Sequence, residues 1–176
     1  MISLIDSTLV GESYASSPQG AVGDPVLVLG VGNLLMGDEG VGIHILRQLE
    51  QEPPIAGVRL LDGGTGGINL LTEFQGARDI VMVDATRDGQ PAGTLTLLQP
   101  EFVGELPRGL GAHDFGLKDL FAAAALLGEL PRIHLYIIAV EEIRPMCIEL
   151  SPQVAGTIPE VVHAVHTLAR RLAASA

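Results

Sequence analysis

Short apolar runs alternate along this chain with segments whose apolar positions repeat at helical spacing. Residues 26–29, 58–61, 80–83 and 133–140 form nearly continuous apolar runs. Such runs are typical of strands that are covered on both faces of a parallel sheet. Residues 94–98 form a shorter candidate strand that we expect to be less buried.

The segments between these runs carry apolar residues three and four positions apart, which is the spacing of one helix face. Three such stripes are Val41, Ile45, Leu46 and Leu49; Leu117, Leu120, Phe121, Ala124 and Leu127; and Ile158, Val161, Val165, Leu168 and Leu172. We also expect a helix between the second and third strands, which gives the order β-α-β-α-β-β-α-β-α. The pattern places Pro159 in the first turn of the last helix, where proline is tolerated.

This order predicts an α/β protein, a three-layer α/β/α sandwich around a mostly parallel sheet of about five strands. Residues 11–25 are rich in Gly, Ser, Ala and Pro and have no regular period. We therefore expect residues 1–24 to form a flexible N-terminal extension and residues 25–176 to form a single domain. A chain of 176 residues with 47% hydrophobic content has enough apolar surface for one core.

Charge and cysteine content exclude several classes of function. Ten basic against 21 acidic residues give a net charge of -11, which opposes binding to nucleic acids and to anionic membranes. Cys147 is the single cysteine, so neither an internal disulfide nor a cysteine zinc site is available. The segment around it predicts a small buried patch and not a nucleophile. No apolar run approaches the ~18 residues of a membrane span, and the start of the chain does not resemble a secretory signal, so we expect a cytoplasmic protein. We also expect a monomer.

Three side chains that can bind a metal follow predicted strands or precede predicted helices: Glu39, Asp84 and His113. Ligands of open α/β sheets gather outside the carboxyl ends of the strands, so residues distant in sequence can meet there. Two carboxylates and one imidazole suit a divalent transition metal. Each residue also has a structural alternative: a helix-dipole acid for Glu39, a turn-forming aspartate for Asp84 and a surface or capping histidine for His113.

Glycines after the first strand offer a second interpretation, a Rossmann-like nucleotide-binding enzyme. Gly30 and Gly32 match the first two glycines of the GxGxxG motif, but Leu35 stands at the third position. Asp38 and Glu39 would oppose a pyrophosphate at the start of the helix, where such a group binds. We therefore expect no nucleotide cofactor. The HExxH and GxSxG signatures of common hydrolases are also missing.

Four motifs, GVGNLLMGDEGVG at 30–42, LDGGT at 61–65, VDA at 83–85 and HDFGL at 113–117, together resemble those of the hydrogenase maturation endopeptidases. The resemblance implies a protease that removes a C-terminal peptide from the precursor of a nickel-iron hydrogenase large subunit once nickel is inserted. It also implies that Glu39, Asp84 and His113 bind metal. Many members of this family carry Asp-Asp where this chain has Asp38 and Glu39.

The resemblance leaves the chemistry of cleavage open. Asp62 and Asp38 are candidate catalytic residues that would position water or the scissile peptide, with turn formation and N-capping as their structural alternatives. The metal is either a catalytic ion of the protease or the nickel carried by the precursor, and the resemblance favours the second. A non-catalytic nickel-binding assembly factor would use the same ligands, so it remains the alternative function.

Overall fold

The computed structural model describes residues 24–100, 117–127 and 131–175. Its elements in chain order are the strand β1 (Val26–Val31), a first 3-10 helix (Gly37–Gly40), the helix α1 (Val41–Leu49), the strand β2 (Val58–Gly64), a second 3-10 helix (Gly67–Phe74), the strands β3 (Asp79–Thr86) and β4 (Leu95–Leu98), the helix α2 (Leu117–Leu127), the strand β5 (Arg132–Ala139) and the helix α3 (Pro152–Ala174). Nearly all of the predicted extension, residues 1–24, falls outside these ranges and stays a prediction.

The five strands form one sheet in the order β2-β1-β3-β5-β4. The four strands β1, β2, β3 and β5 are parallel, and the short edge strand β4 pairs antiparallel with β5. The chain places β2 on one side of β1 and then crosses to place β3 on the other side. The carboxyl ends of β1 and β3 are therefore the switch point of the sheet, the place where the strand order reverses and where ligands bind in sheets of this kind.

Two apolar cores cover the two faces of the sheet. On one face, α1 and α3 pack on alternate residues of the strands, including Val28 and Val81. On the other face, α2 and the second 3-10 helix pack on the intervening residues, including Leu29 and Met82. Because side chains of a strand alternate between faces, apolar runs without polar gaps are what a doubly covered sheet requires. The predicted three-layer α/β/α fold is confirmed.

The segment between β2 and β3 differs from the helix that we expected. It forms a 3-10 helix, with Asn69 N–H donating to the Gly66 carbonyl at 3.0 Å. Gly64 and Gly67 both have φ of 49°, a left-handed conformation that glycine adopts without steric cost. Left-handed residues at the start of the segment interrupt a regular α-helix, so the chain forms the tighter 3-10 helix there.

The last helix begins earlier than the pattern predicted, so Pro159 lies inside it and not in its first turn. Pro152 takes the first-turn position instead, and the Ser151 side chain caps the helix by accepting from Val154 N–H at 3.4 Å. Both features are typical helix starts. Within the described ranges, no helix combines the length and the apolar character needed to cross a membrane.

Candidate functional site

Glycines bring the start of α1 against the carboxyl ends of the two central strands. A Cβ on Gly42 would overlap two carbonyl oxygens. One belongs to Val31, the last residue of β1, and the other to Val83, in the second half of β3. Gly32 has φ of 139°, and a Cβ there would overlap the Glu39 carbonyl. These positions therefore require glycine, because the helix backbone lies directly on the strand ends. The first 3-10 helix and its acidic residues are thereby held at the switch point of the sheet.

Two buried carboxylates, Glu39 and Asp84, interact at this switch point. Asp84 lies in β3 and is 1% exposed. Its Oδ1 accepts from the N–H of Ala85 at 2.8 Å, whereas its Oδ2 is buried with no hydrogen-bond partner among the described residues. Burial raises the pKa of Asp84 to about 7, and the negative charge of Glu39 adds to this rise against the lowering effect of the Ala85 N–H. The two acids therefore lie close enough to repel one another.

A divalent cation would relieve this arrangement, since buried carboxylates are stabilised by a partner of opposite charge. The residues fit a metal in chemistry: a carboxylate oxygen of Asp84 is buried without a partner in the described chain, and Glu39 supplies a second acidic group. No group of three His, Cys, Asp or Glu side chains with metal-binding geometry occurs within the described ranges. His113 lies outside those ranges, so the predicted set of three ligands stays a prediction.

The structure places α2, which follows His113 in the sequence, on the same face of the sheet as Asp84. Leu120 and Phe121 of α2 pack in the core that contains Ile80 and Met82 of β3. Asp84 continues that alternation along β3. Helix α2 therefore lies on the face of the sheet from which the Asp84 side chain projects.

Asp38 joins two parts of the chain. Its buried Oδ1 accepts from the backbone N–H of Ser151, the N-cap residue of α3, at 2.6 Å. Neither the first 3-10 helix nor α1 has a side-chain cap, so the expected N-capping of its own helix by Asp38 is wrong. The neighbouring Gly37 N–H donates to the Cys147 carbonyl at 2.7 Å. The observed contact of Asp38 is structural, and its catalytic role stays a prediction.

Asp62 lies near the carboxyl end of β2, which pairs with β1 on the side opposite β3. It is half-buried and pairs in register with Gly30, just before an irregularity in the strand pairing. Its Oδ1 accepts from Gly64 N–H at 2.9 Å, a contact by which aspartate stabilises a turn. The turn-forming role that the sequence allowed is therefore present. The residue is partly exposed, and its catalytic role stays a prediction.

The segment around Cys147 is not the buried patch that we expected. Met146 is 87% exposed and Ile148 is 52% exposed. Their backbone lies beside residues 35–37, where Cys147 N–H donates to the Leu35 carbonyl at 3.2 Å. Backbone hydrogen bonds, and not core packing, fix this segment, so apolar side chains remain at the surface.

A cluster at the opposite end of the sheet was not predicted. Asp79 begins β3 and is fully buried, and its carboxylate accepts from Arg78 at 2.9 Å, from Arg132 at 2.7 Å and bonds to His134 Nε2 at 3.0 Å. Burial raises the pKa of Asp79, but the bonds from Arg132, His134 and Arg78 outweigh it and lower the pKa to about 2. Parallel pairing of β3 with β5 brings these groups together, which sequence spacing does not reveal.

An apolar cavity of about 360 Å³ lies between α3 and the loop that joins α1 to β2. Val28, Leu60 and Val165 are among its lining residues, and none of the predicted site residues lines it. Its walls carry few groups able to activate water or hold a metal. The chemistry of the predicted site residues therefore belongs to the carboxyl ends of the strands and not to this cavity.

The chain is similar in sequence to proteins that act in hydrogenase maturation. A family described as "Hydrogenase maturation protease" matches residues 43–168. Hydrogenase expression/formation protein HupD of Thiocapsa roseopersicina is 38% identical over 157 residues, which cover 84% of this chain and 69% of HupD. Hydrogenase 2 maturation protease of Escherichia coli is 34% identical, with 80% of this chain and 87% of that protein covered. The chain spans 57% of the length of HoxM of Azotobacter vinelandii, at 39% identity.

Solved structures of hydrogenase maturation proteases are also similar to this chain. The hydrogenase maturating endopeptidase HybD from Escherichia coli superposes with a TM-score of 0.76 at 32% identity, covering 83% of this chain and 92% of HybD. The hydrogenase maturation protease HybD from Thermococcus kodakarensis gives a TM-score of 0.69 at 30% identity, covering 82% and 98%. The resemblance found in the four sequence motifs is confirmed, and this chain belongs to the hydrogenase maturation protease family.

Proposed function

We propose that this protein is an endopeptidase that removes a C-terminal peptide from the precursor of a nickel-iron hydrogenase large subunit after nickel has been inserted. Membership of the maturation protease family supports the peptidase activity. The observation that carries the nickel-dependent part is the buried pair of Glu39 and Asp84 at the switch point of the sheet. A non-catalytic assembly factor is disfavoured, because the family is one of proteases.

In this proposal the metal belongs to the substrate. Glu39 and Asp84 would contact the nickel ion that the precursor carries, and His113 would supply the third ligand. Two carboxylates and an imidazole are fewer ligands than first-row divalent ions usually take, so groups of the precursor would complete the coordination. Recognition of the metal would then test whether the precursor is loaded before its peptide bond is cut.

The energetics of the free site support recognition of an incoming cation. Asp84 is buried with one oxygen lacking a partner in the described chain, and Glu39 repels its ionised form. A cation that approaches both acids favours the ionised form of Asp84 and lowers its pKa. Binding a loaded precursor therefore gains free energy that an unloaded precursor does not provide.

Asp62 is the better placed of the two candidate catalytic acids. The Oδ1 of Asp38 is buried and accepts from Ser151 N–H, whereas Asp62 is half-buried at the carboxyl end of β2. One Asp62 oxygen holds the turn at Gly64, which leaves the other oxygen able to orient water or the scissile peptide. This division assigns Asp38 to positioning the first 3-10 helix and Asp62 to contact with the substrate.

Cleavage of a defined precursor tests the proposal. The chain is incubated with nickel-loaded and with metal-free large-subunit precursor, and the products are weighed by mass spectrometry. We expect loss of one C-terminal peptide from the loaded precursor only. Equal cleavage of both forms, or activity that requires zinc held stoichiometrically by the protease, would reject recognition of substrate nickel. An intact precursor in a stable complex would instead support the assembly factor.

Asp84→Asn and Asp119→Asn make a matched pair for this assay. Both changes replace a carboxylate by an amide, but Asp119 is exposed on α2 and Asp84 is buried in the site. We expect Asp84→Asn to abolish processing and Asp119→Asn to retain it. Equal activity of the two variants would show that Asp84 is not part of the site.

A further inference from the structure

Thr86 carries a second buried oxygen for which the described residues offer no hydrogen-bond partner. The residue ends β3 and is 3% exposed, and its Oγ1 has no hydrogen-bond partner among the described residues. Buried hydroxyls in native proteins almost always have a partner, and an exception calls for an explanation. Two less buried threonines do have partners: the hydroxyl of Thr157 donates to the Val154 carbonyl at 2.8 Å and that of Thr94 donates to the Pro91 carbonyl at 2.7 Å.

The Thr86 hydroxyl lies on the same face of β3 as the Asp84 carboxylate. The two residues are separated by one position in a regular strand, so their side chains project from the same face about 6–7 Å apart. The backbone of Thr86 is fixed, because its carbonyl accepts from Val140 N–H at 2.8 Å and it pairs in register with Ala139. Two oxygens without partners in the described chain, Asp84 Oδ2 and Thr86 Oγ1, therefore face the same side of β3 at its carboxyl end.

We infer that Thr86 Oγ1 hydrogen-bonds a main-chain peptide group of the precursor segment that docks beside Asp84. This inference rests on the proposed function, since it needs a polypeptide substrate at the switch point. A peptide group offers an N–H donor and a carbonyl acceptor, and a threonine hydroxyl can serve either one. The contact requires no particular side chain of the substrate, so Thr86 aligns the backbone while the acids recognise the metal.

Thr86→Val and Thr86→Ser test the inference. Valine keeps the shape of threonine without the hydroxyl, and serine keeps the hydroxyl. We expect Thr86→Val to raise the KM for nickel-loaded precursor about five- to tenfold, the effect of one neutral hydrogen bond, with a smaller change in kcat. Thr86→Ser should stay within about twofold of the wild-type KM.

Stability of the free enzyme separates substrate binding from a structural role. Because the Thr86 hydroxyl has no partner among the described residues, we expect the urea unfolding midpoint of Thr86→Val to be equal to or above that of the wild type. Thr157→Val is the matched control, because it removes a hydroxyl that has a partner in α3. We expect that control to lower the midpoint and to leave KM unchanged.

The outcomes distinguish failure of this inference from failure of the proposed function. Wild-type cleavage together with an unchanged KM in Thr86→Val overturns the inference alone. A lowered midpoint or loss of folding in Thr86→Val also overturns it, because the hydroxyl then has a partner within the chain. Absence of cleavage by the wild type overturns the proposed function and this inference together.

Discussion

Replacing Asp84 by asparagine should make the free protein more stable above neutral pH while abolishing its activity. The carboxylate of Asp84 is buried, one of its oxygens has no partner in the described chain, and Glu39 repels its charge. Asparagine keeps the size of the side chain and cannot ionise. The substitution therefore removes the cost of holding a negative charge at this position.

The pKa of Asp84 sets the size and the sign of the effect. Burial raises it from 3.8 to about 7 in the folded state, so the folded protein binds this proton more tightly than the unfolded chain does. Below pH 3.8 the ionisation of Asp84 does not change the free energy of unfolding. Between pH 3.8 and about 7 it lowers the free energy of unfolding as pH rises, and above that range the loss is constant. A difference of about three pH units corresponds to a ceiling of about 4 kcal/mol. We expect about half of this, about 2 kcal/mol, because the asparagine amide is also buried and needs partners.

Urea unfolding from pH 4 to pH 8, with a chelator present to exclude metal, measures the effect. The advantage of Asp84→Asn over wild type should grow through the range from pH 4 to 7 and then level off. Asp119→Asn is the control, since the same change at an exposed carboxylate should shift stability by less than about 0.5 kcal/mol. Wild-type and Asp84→Asn curves that run parallel across the whole range would refute the reasoning.

The remaining predictions concern the other ligands and the opposite end of the sheet. Glu39→Gln should reduce processing of nickel-loaded precursor at least about a hundredfold, whereas a helix-dipole role predicts only up to ~1 kcal/mol of lost stability; cleavage kinetics and urea unfolding separate the two. His113→Ala should abolish processing with an unchanged circular dichroism spectrum, and unaltered kinetics would remove it from the site. Asp79→Asn should lose about 2 kcal/mol at neutral pH, because the folded-state pKa near 2 stabilises the protein above pH 3.8 and that gain is lost as pH falls through 2; an unaltered acid unfolding profile would contradict this.

The strands were predictable because each parallel strand is covered on both faces. Buried strands of this kind contain apolar runs with few polar positions, and every residue of β1 and β3 is buried in the structure. Helix α3 was predictable from the stripe that contains Val161 and Val165. Its start was not, because the cap at Ser151 and the first-turn Pro152 precede the apolar stripe. Periodicity reports packing faces, while element ends depend on local hydrogen bonds.

The candidate site was predictable in part, since topology brings the carboxyl ends of the central strands together. Glu39 and Asp84 were identified from their positions after strands, and their electrostatic interaction agrees with that expectation. The bond from Ser151 to Asp38 joins residues 113 positions apart, and the bond between Asp79 and His134 joins residues 55 positions apart. Neither leaves a local signal, because such contacts depend on strand order and register. The Thr86 hydroxyl, which has no partner within the described ranges, is likewise visible only once burial is known.

The cost of the buried acids is itself an argument about function. An isolated folded chain would be more stable without a charge at Asp84, so folding alone gives no reason for a carboxylate there. Under the proposed function the reason is selectivity, since a precursor that carries nickel relieves the repulsion between Glu39 and Asp84 and an empty precursor does not. The free energy lost in the unliganded protease thereby becomes a difference in affinity between loaded and unloaded substrates. A variant that gains stability by losing this charge should therefore also bind the loaded and the unloaded precursor with equal affinity, which links the unfolding measurements to a binding measurement with the two precursors.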